Sequence, residues 1–189
     1  MTPSASQLAM YVAQLRVGGV VACATDTLFG LLADARSEVA VARVIALKRR
    51  GAEPIALIAP DLASVEALAV ELRPEARALA ARHWPGALTL VVRARPGLPA
   101  PLLHNGTVGV RVPGDSVALA LVRAFGDVLT ATSCNLSGQR PAHTDAEARA
   151  YFPDGVEIVP GVATGGAPST LVDVTGPVPR VLRHGAVMI

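Results

Sequence analysis

Apolar and polar positions change period along this chain often enough to divide it into short helices and strands. Over residues 4–16 (SASQLAMYVAQLR), Leu8, Tyr11, Val12 and Leu15 recur at the spacing of one helix face, and Gly18 marks the end. Val20 to Ala24 is an unbroken apolar run after a Gly-Gly turn, which predicts a buried strand. Ser37 is placed to cap a helix that turns Val41, Val44 and Ile45 inward, with Glu38 in its first turn and Lys48, Arg49 and Arg50 in its last. Charges so placed complement the helix dipole.

Residues 54–60 (PIALIAP) predict a short strand, and Asp61 caps a helix over LASVEALAVEL. Pro74 opens another helix through ARALAARHW, which the Trp84-Pro85-Gly86 turn stops. ALTLVV then reads as a strand with Thr89 inside an otherwise apolar run. In TVGVRVP the residues alternate: Thr107, Gly109 and Arg111 share one face, and Val108, Val110 and Val112 the other. A helix from Ser116 to Phe125 and a strand from Val128 to Ala131 follow. Thr144 and Glu147 form a capping box for a short helix ending near Pro153, and VEIVP, LVDV and RVLRHG supply the last strands. Strands that alternate irregularly with helices predict an α/β fold: a twisted mixed β-sheet with helices packed against it, in a single domain over 1–189.

Composition narrows the picture. Apolar residues make up 51% of the chain and aromatic ones 3%, so the core is built from Val, Leu, Ile and Ala. Cys23 and Cys134 lie far apart, and His83, His104, His143 and His184 stand singly. No pair has metal-ligand spacing, so no structural zinc is predicted and a reduced, cytoplasmic setting fits. No apolar run reaches the roughly 18 residues of a membrane span, so a soluble protein that does not engage a membrane is expected. Net charge is only +2, yet of 17 basic residues one, Lys48, is lysine and the other 16 are arginine. A lysine kept among so many arginines suggests a place that needs a compact ammonium.

Two polar clusters follow buried strands and carry the candidate chemistry. The first is Thr25-Asp26-Thr27, which stands where open α/β sheets place their ligand crevice, unless Thr25 or Asp26 caps a helical turn. The second is TSCNLSG, with Thr132, Ser133, Asn135, Ser137 and Gly138 in seven residues. Two such loops at two strand ends point to a shared crevice. Arg111, on a strand between valines, is either an exposed face charge or a planar fork for a carboxylate or phosphate. The Gly-rich loop GVATGGAPST can present backbone N–H groups to an anion, but neither a Walker loop nor a GxGxxG after a strand is present.

Taken together, ATDTLFGL, LKRR, HWPGALTLV, TVGVRVP, TSCNLSG, PSTLVDV and VLRHG occur in the order and spacing of the YrdC-like family of threonylcarbamoyl-AMP synthases, which this chain resembles over about residues 10 to 186. The resemblance implies a concave, basic cleft and a reaction in which L-threonine, bicarbonate and ATP give threonylcarbamoyl-AMP and pyrophosphate. That product serves threonylcarbamoyladenosine formation in tRNA, so tRNA and a downstream threonylcarbamoyl transferase complex are implied partners. By motif, Thr27 would touch threonine, and Lys48 and Arg50 the ATP phosphates, with Mg2+ carried by ATP. Arg111 would hold the threonine carboxylate. Thr107, Ser133, Asn135 and Ser137 would line the nucleotide and amino-acid positions, and Ser169 and Arg183 would close the cleft. The chain departs from the family pattern at Ala24, Phe29 and Cys134, and at Gly51 and Glu53 in the phosphate-binding stretch.

Two rivals stand beside this reading. One is a carbamoyl-adenylate-forming relative, such as the matching domain of hydrogenase-maturation carbamoyltransferases, whose zinc-finger-like segments this chain lacks. The other is a non-catalytic RNA-binding module, for which three Phe, two Tyr and one Trp give little of the required aromatic interleaving.

Overall fold

A computed structural model describes residues 3–49 and 54–189. Helix α1 spans Ala5–Arg16 and starts where the Ser4 hydroxyl and the Gln7 side chain exchange hydrogen bonds with each other's backbone N–H. It buries Tyr11, Val12 and Leu15, and Gly18 follows with φ of 78°, a conformation that favours glycine. Strands β1 (Val21–Ala24) and β2 (Phe29–Leu32) are buried at every position. Helix α2, Glu38–Lys48, is capped by Ser37, and its C-terminal cap is Arg49 in the left-handed region at φ 48°, ψ 41°. The helix therefore stops before Arg49, one turn position short of the expected basic last turn, and Arg50 lies outside the described residues.

The remaining elements are β3 (Ala56–Ile58), α3 (Leu62–Leu68), α4 (Pro74–His83), β4 (Leu88–Arg93), β5 (Thr107–Arg111), α5 (Val117–Phe125), β6 (Leu129–Ser133), α6 (Asp145–Tyr151), β7 (Glu157–Ile158), β8 (Thr170–Asp173) and β9 (Arg180–Arg183). Helix α3 is shorter than its apolar pattern, because Val70 donates to the Arg93 carbonyl and Ala69 bridges Ala94. Thr144 caps α6 as expected, but Glu147 turns back to the His143 N–H and to Arg140, so the reciprocal half of the box is made one residue early. The lone tryptophan precedes a cis peptide bond to Pro85 and donates its indole N–H to the Leu88 carbonyl at 2.6 Å.

Among the described residues the strands form one mixed sheet in the order β7-β1-β2-β6-β3-β5-β4-β8-β9. Three pairs are parallel (β7 with β1, β3 with β5, β4 with β8) and the other five are antiparallel, three of them in succession from β1 to β3. Helices α1 and α5 pack on each other and on β1, α6 covers β1 and β7, and α4 lies on β4. No described helix is long and apolar enough to cross a membrane.

Strand alternation divides β4, β5 and β8 between a buried face and a cleft face. Leu88, Leu90, Val108, Val110 and Val172 are buried on the first. On the second, Gly109 pairs with Val91, Val91 with Asp173 and Asp173 with Arg180, while Thr89 pairs with Leu171 and Leu171 with Arg183. Arg180 and Arg183 are three residues apart, which in a regular strand would place them on opposite faces. A register shift between Leu171 and Val172 brings both beside cleft-face residues.

Thr130 on β6 is fully buried, and its hydroxyl is without a hydrogen-bond partner. Thr130→Val keeps the shape and removes the unsatisfied group. It is expected to raise stability by about 1 kcal/mol, or roughly 2–4 °C in thermal midpoint, checked by calorimetry against the parent.

Candidate functional site

The turn after β1 and the loop after β6 face one another across a cavity of 710 Å³. Its floor is formed by small residues of the central strands, Ala56, Gly109 and Ala131, flanked by Thr89 and Val91. A Cβ added at Gly109 would lie 3.2 Å from the Thr89 methyl and 3.7 Å from Ala56, so glycine keeps this floor low.

The Thr25-Asp26-Thr27 segment is the tip of a β1–β2 hairpin and does not cap a helix. The Thr25 hydroxyl accepts the N–H groups of Thr27 and Leu28, both at 3.1 Å, and donates to the Leu28 carbonyl at 2.7 Å. One side chain thus closes the turn from within. The hairpin is antiparallel, so the crevice does not arise at a switch point of a parallel sheet, as the strand-end reasoning assumed. It arises because β2 returns beside β6, whose own loop faces the same way.

Asp26 points from this turn to β5. Arg111 Nη1 donates to Asp26 Oδ1 at 2.7 Å and Oδ2 at 3.0 Å, with the Gly86 carbonyl at 3.5 Å, while Nη2 reaches the Thr27 hydroxyl at 3.4 Å. Alternation correctly put Arg111 opposite the valines, but its guanidinium already has an acidic partner.

Lys48, the last residue of α2, is 2% exposed. Its ammonium donates to the Ser133 carbonyl at 2.5 Å and to the Asn135 carbonyl and Oδ1, each at 3.1 Å. Asn135 Oδ1 also accepts the Ser133 hydroxyl at 2.6 Å, and its amide nitrogen donates to the Leu136 and Gln139 carbonyls. The Ser137 N–H returns to the Lys48 carbonyl, closing the exchange between helix end and loop. Burial pushes the Cys134 thiol up to about 12 even though the Lys48 charge pulls it down, and burial drives Cys23 higher still. Both stay protonated thiols, poor nucleophiles at neutral pH.

On the third wall the Thr89 and Ser169 hydroxyls lie 2.8 Å apart, and Arg183 donates to the Ser169 carbonyl at 2.9 and 3.3 Å. Burial and the nearby Arg111 charge hold Arg183 below the usual guanidinium range. Burial raises the Asp173 carboxyl, but hydrogen bonds from Thr175 and Arg180 outweigh it and leave it below its ordinary value. Thr107 donates its hydroxyl to the His104 carbonyl at the rim. Among the described residues no group of three or more His, Cys, Asp and Glu is arranged to hold a metal ion. Hydroxyls, an amide and cations around a low floor suit binding and charge stabilisation of an anionic ligand.

A family model named Sua5/YciO/YrdC, described as telomere recombination, matches residues 13–185. The chain belongs to this family. It is 42% identical to the threonylcarbamoyl-AMP synthase of Idiomarina loihiensis over 156 residues, covering 79% of this chain and 82% of that one. Identity to the threonylcarbamoyl-AMP synthase of Thiobacillus denitrificans is also 42%, over 90% of this chain and 92% of the relative. Among solved structures, that of P. abyssi Sua5 complexed with L-threonine superposes with a TM-score of 0.90 at 31% identity. It is matched over 98% of this chain, which spans 56% of the Sua5 chain.

In this Sua5/YciO/YrdC member Thr27, Lys48, Thr107, Arg111, Ser133, Asn135, Ser137, Ser169 and Arg183 all line the one cavity. Arg50, Gly51 and Glu53 lie outside the described residues. Of the Gly-rich loop, Pro168 and Ser169 reach the cavity wall. The sequence reading missed Asp26 as the partner of Arg111, Thr89 as the partner of Ser169, and the Asp173–Arg180 pair. Thr89 did carry a signal, as the polar residue in an apolar strand in phase with the cleft face. The four described cations on the wall are Lys48, Arg111, Arg180 and Arg183. Lys48 is bound to loop oxygens, Arg111 and Arg180 are paired with Asp26 and Asp173, and Arg183 donates to the Ser169 carbonyl, so each described cation of the cleft is already engaged and the expected basic character is not evident among the described residues.

Lys48→Met keeps the stem but leaves three buried oxygens without their charged donor. It is expected to cost about 2–4 kcal/mol, because a buried acceptor that loses a charged partner pays its full desolvation penalty. The check is a denaturant melt, in which Arg49→Met at the exposed neighbour should move the midpoint little.

Proposed function

We propose that the chain is an L-threonylcarbamoyladenylate synthase, a nucleotidyltransferase that makes threonylcarbamoyl-AMP and pyrophosphate from L-threonine, bicarbonate and ATP. The observation that carries this reading is that nine residues from six separate motifs converge on one cavity in a family member whose relatives bear that name.

The chemistry needs no covalent intermediate on the protein. Threonine's amine adds to bicarbonate, water leaves, and the resulting carbamate oxygen attacks the α-phosphorus of ATP. A new O–P bond forms as the bond to pyrophosphate breaks. The protein's task is to align the two substrates and to neutralise charge on the transferring phosphoryl group. In this reading Arg111 and Thr27 receive threonine, with Arg111 on its carboxylate. Arg50 meets the phosphates, and Lys48 acts there and through the Ser133–Asn135 loop that it holds. Thr107, Asn135, Ser137 and Arg183 serve the nucleotide, and Ser133 and Ser169 the amino acid. Magnesium is proposed to arrive on the ATP phosphates. Asp173, the carboxylate on the wall, is engaged by Thr175 and Arg180, which does not suit a resident ion. The proposed setting is the cytoplasm, with tRNA and a threonylcarbamoyl transferase complex downstream.

Pyrophosphate release from ATP is expected only when L-threonine and bicarbonate are both present. Release that ignores either addition, or that requires carbamoyl phosphate, would refute the assignment. Arg111→Ala is expected to raise the threonine concentration for half-maximal rate by about 10- to 150-fold, the loss of a charge-assisted contact of roughly 1.5–3 kcal/mol, with little change in ATP dependence. Because Asp26 is left unpaired, rates should be taken well below the variant's thermal midpoint.

A further inference from the structure

Two distant segments of the chain, the end of β5 with the turn after it and the Gly-rich loop, meet on Asp26. Its carboxylate accepts Arg111 Nη1 at 2.7 and 3.0 Å and the Gly114 N–H at 3.0 Å, and its backbone carbonyl accepts the Thr164 hydroxyl at 3.0 Å. Gly114 permits the approach, since a Cβ there would stand 3.0 Å from Asp26 Oδ2. The Asp26 and Arg111 side chains are 13% and 8% exposed, so water competes weakly for either partner. Nη1 is committed to Asp26, with the Gly86 carbonyl behind it. Nη2 is left on the side of Thr27 and the cavity.

We propose that Asp26 is the positioning residue of the cleft: it fixes the Arg111 guanidinium edge-on, so that Nη2 and the Thr27 hydroxyl together receive the carboxylate of the amino-acid substrate. The proposal rests on the reading of Arg111 as the threonine ligand. Asp26 touches no substrate in this scheme and acts only through Arg111. An arginine without this anchor would have to give up rotamer freedom on binding, a cost that the ion pair removes in advance. Thr164 extends the same anchorage to the Gly-rich loop.

The test compares Asp26→Ala, Asp26→Asn, Arg111→Ala and the Asp26→Ala/Arg111→Ala double variant in the full chain. L-threonine binding is read by calorimetry, and the guanidinium N–H signals by nitrogen-15 NMR, with the Arg111 signal assigned by its absence from Arg111→Ala. Asp26→Ala is expected to weaken threonine binding at least 10-fold while half-saturation by ATP stays within about twofold. Asp26→Asn, which retains one acceptor for Nη1, should recover part of the loss. On the Arg111→Ala background, Asp26→Ala should change threonine affinity by less than about twofold, since pairs that act as one unit are non-additive. The Arg111 signal should be slowly exchanging in the parent, broadened in Asp26→Asn, and lost in Asp26→Ala.

Unchanged or tighter threonine binding in Asp26→Ala, or the same loss on the Arg111→Ala background, overturns the proposal. If the parent does not bind threonine, the assigned function fails and the NMR signal alone decides. Loss of the Arg111 signal in Asp26→Ala then upholds the positioning role, and persistence refutes it. Should Asp26→Ala fail to fold, Asp26→Asn decides by the same two readouts: weakened binding with a broadened signal supports the role, and parent-like values in both overturn it.

Discussion

A buried ammonium must be surrounded by oxygens, and the site is assembled around one that meets this condition. Lys48 ends its helix inside the protein, where desolvation alone would cost several kcal/mol, and three oxygens of the β6 loop surround it. Arginine's wide fork would not fit among three converging oxygens, which gives a physical reason for the single lysine in a chain that elsewhere uses arginine. The contact fixes the second polar loop relative to α2. Since β6 lies next to β2, the same contact also sets that loop opposite the hairpin turn that carries Thr27.

The other cationic walls follow the same logic. Arg111 leans on Asp26, Arg180 on Asp173, and Arg183 on the Ser169 carbonyl. Groups held in this way do not need to reorganise when a ligand arrives, which is the condition under which electrostatic stabilisation contributes most to a reaction. A cleft so arranged gives up net positive potential in exchange for fixed direction. It would select ligands by the placement of their oxygens more than by total charge.

Much of the fold was legible in local pattern. Capping side chains at Ser37, Asp61 and Thr144 and alternation in β5 located elements closely, because caps and side-chain period act over a few residues. The run Phe29–Leu32 was harder to place, since a strand buried on both faces has no alternation to read. The early end of α3 was invisible for a different reason: its last turn is overruled by pairing with Arg93 and Ala94. The two polar loops were recognisable as candidates that belong together, but the ion pair that orders one of them joins residues 85 positions apart. Nothing near Asp26 in the sequence announces Arg111, and only the sheet order brings them into contact.

The register shift beside Leu171 carries a consequence for how this part of the chain can vary. Because it reverses the parity of β9 between Val181 and Arg183, both arginines of the strand stand on the cleft side although an odd number of steps separates them. Identity and length are therefore under different constraints here. The residues between the arginines are held to apolar character, Val181 by packing against the core and Leu182 by its place on the cavity wall, whereas gaining or losing a single residue would turn one arginine to the far side of the sheet. Relatives that keep this wall would then show a fixed spacing between the two arginines, a signature of geometry over and above composition.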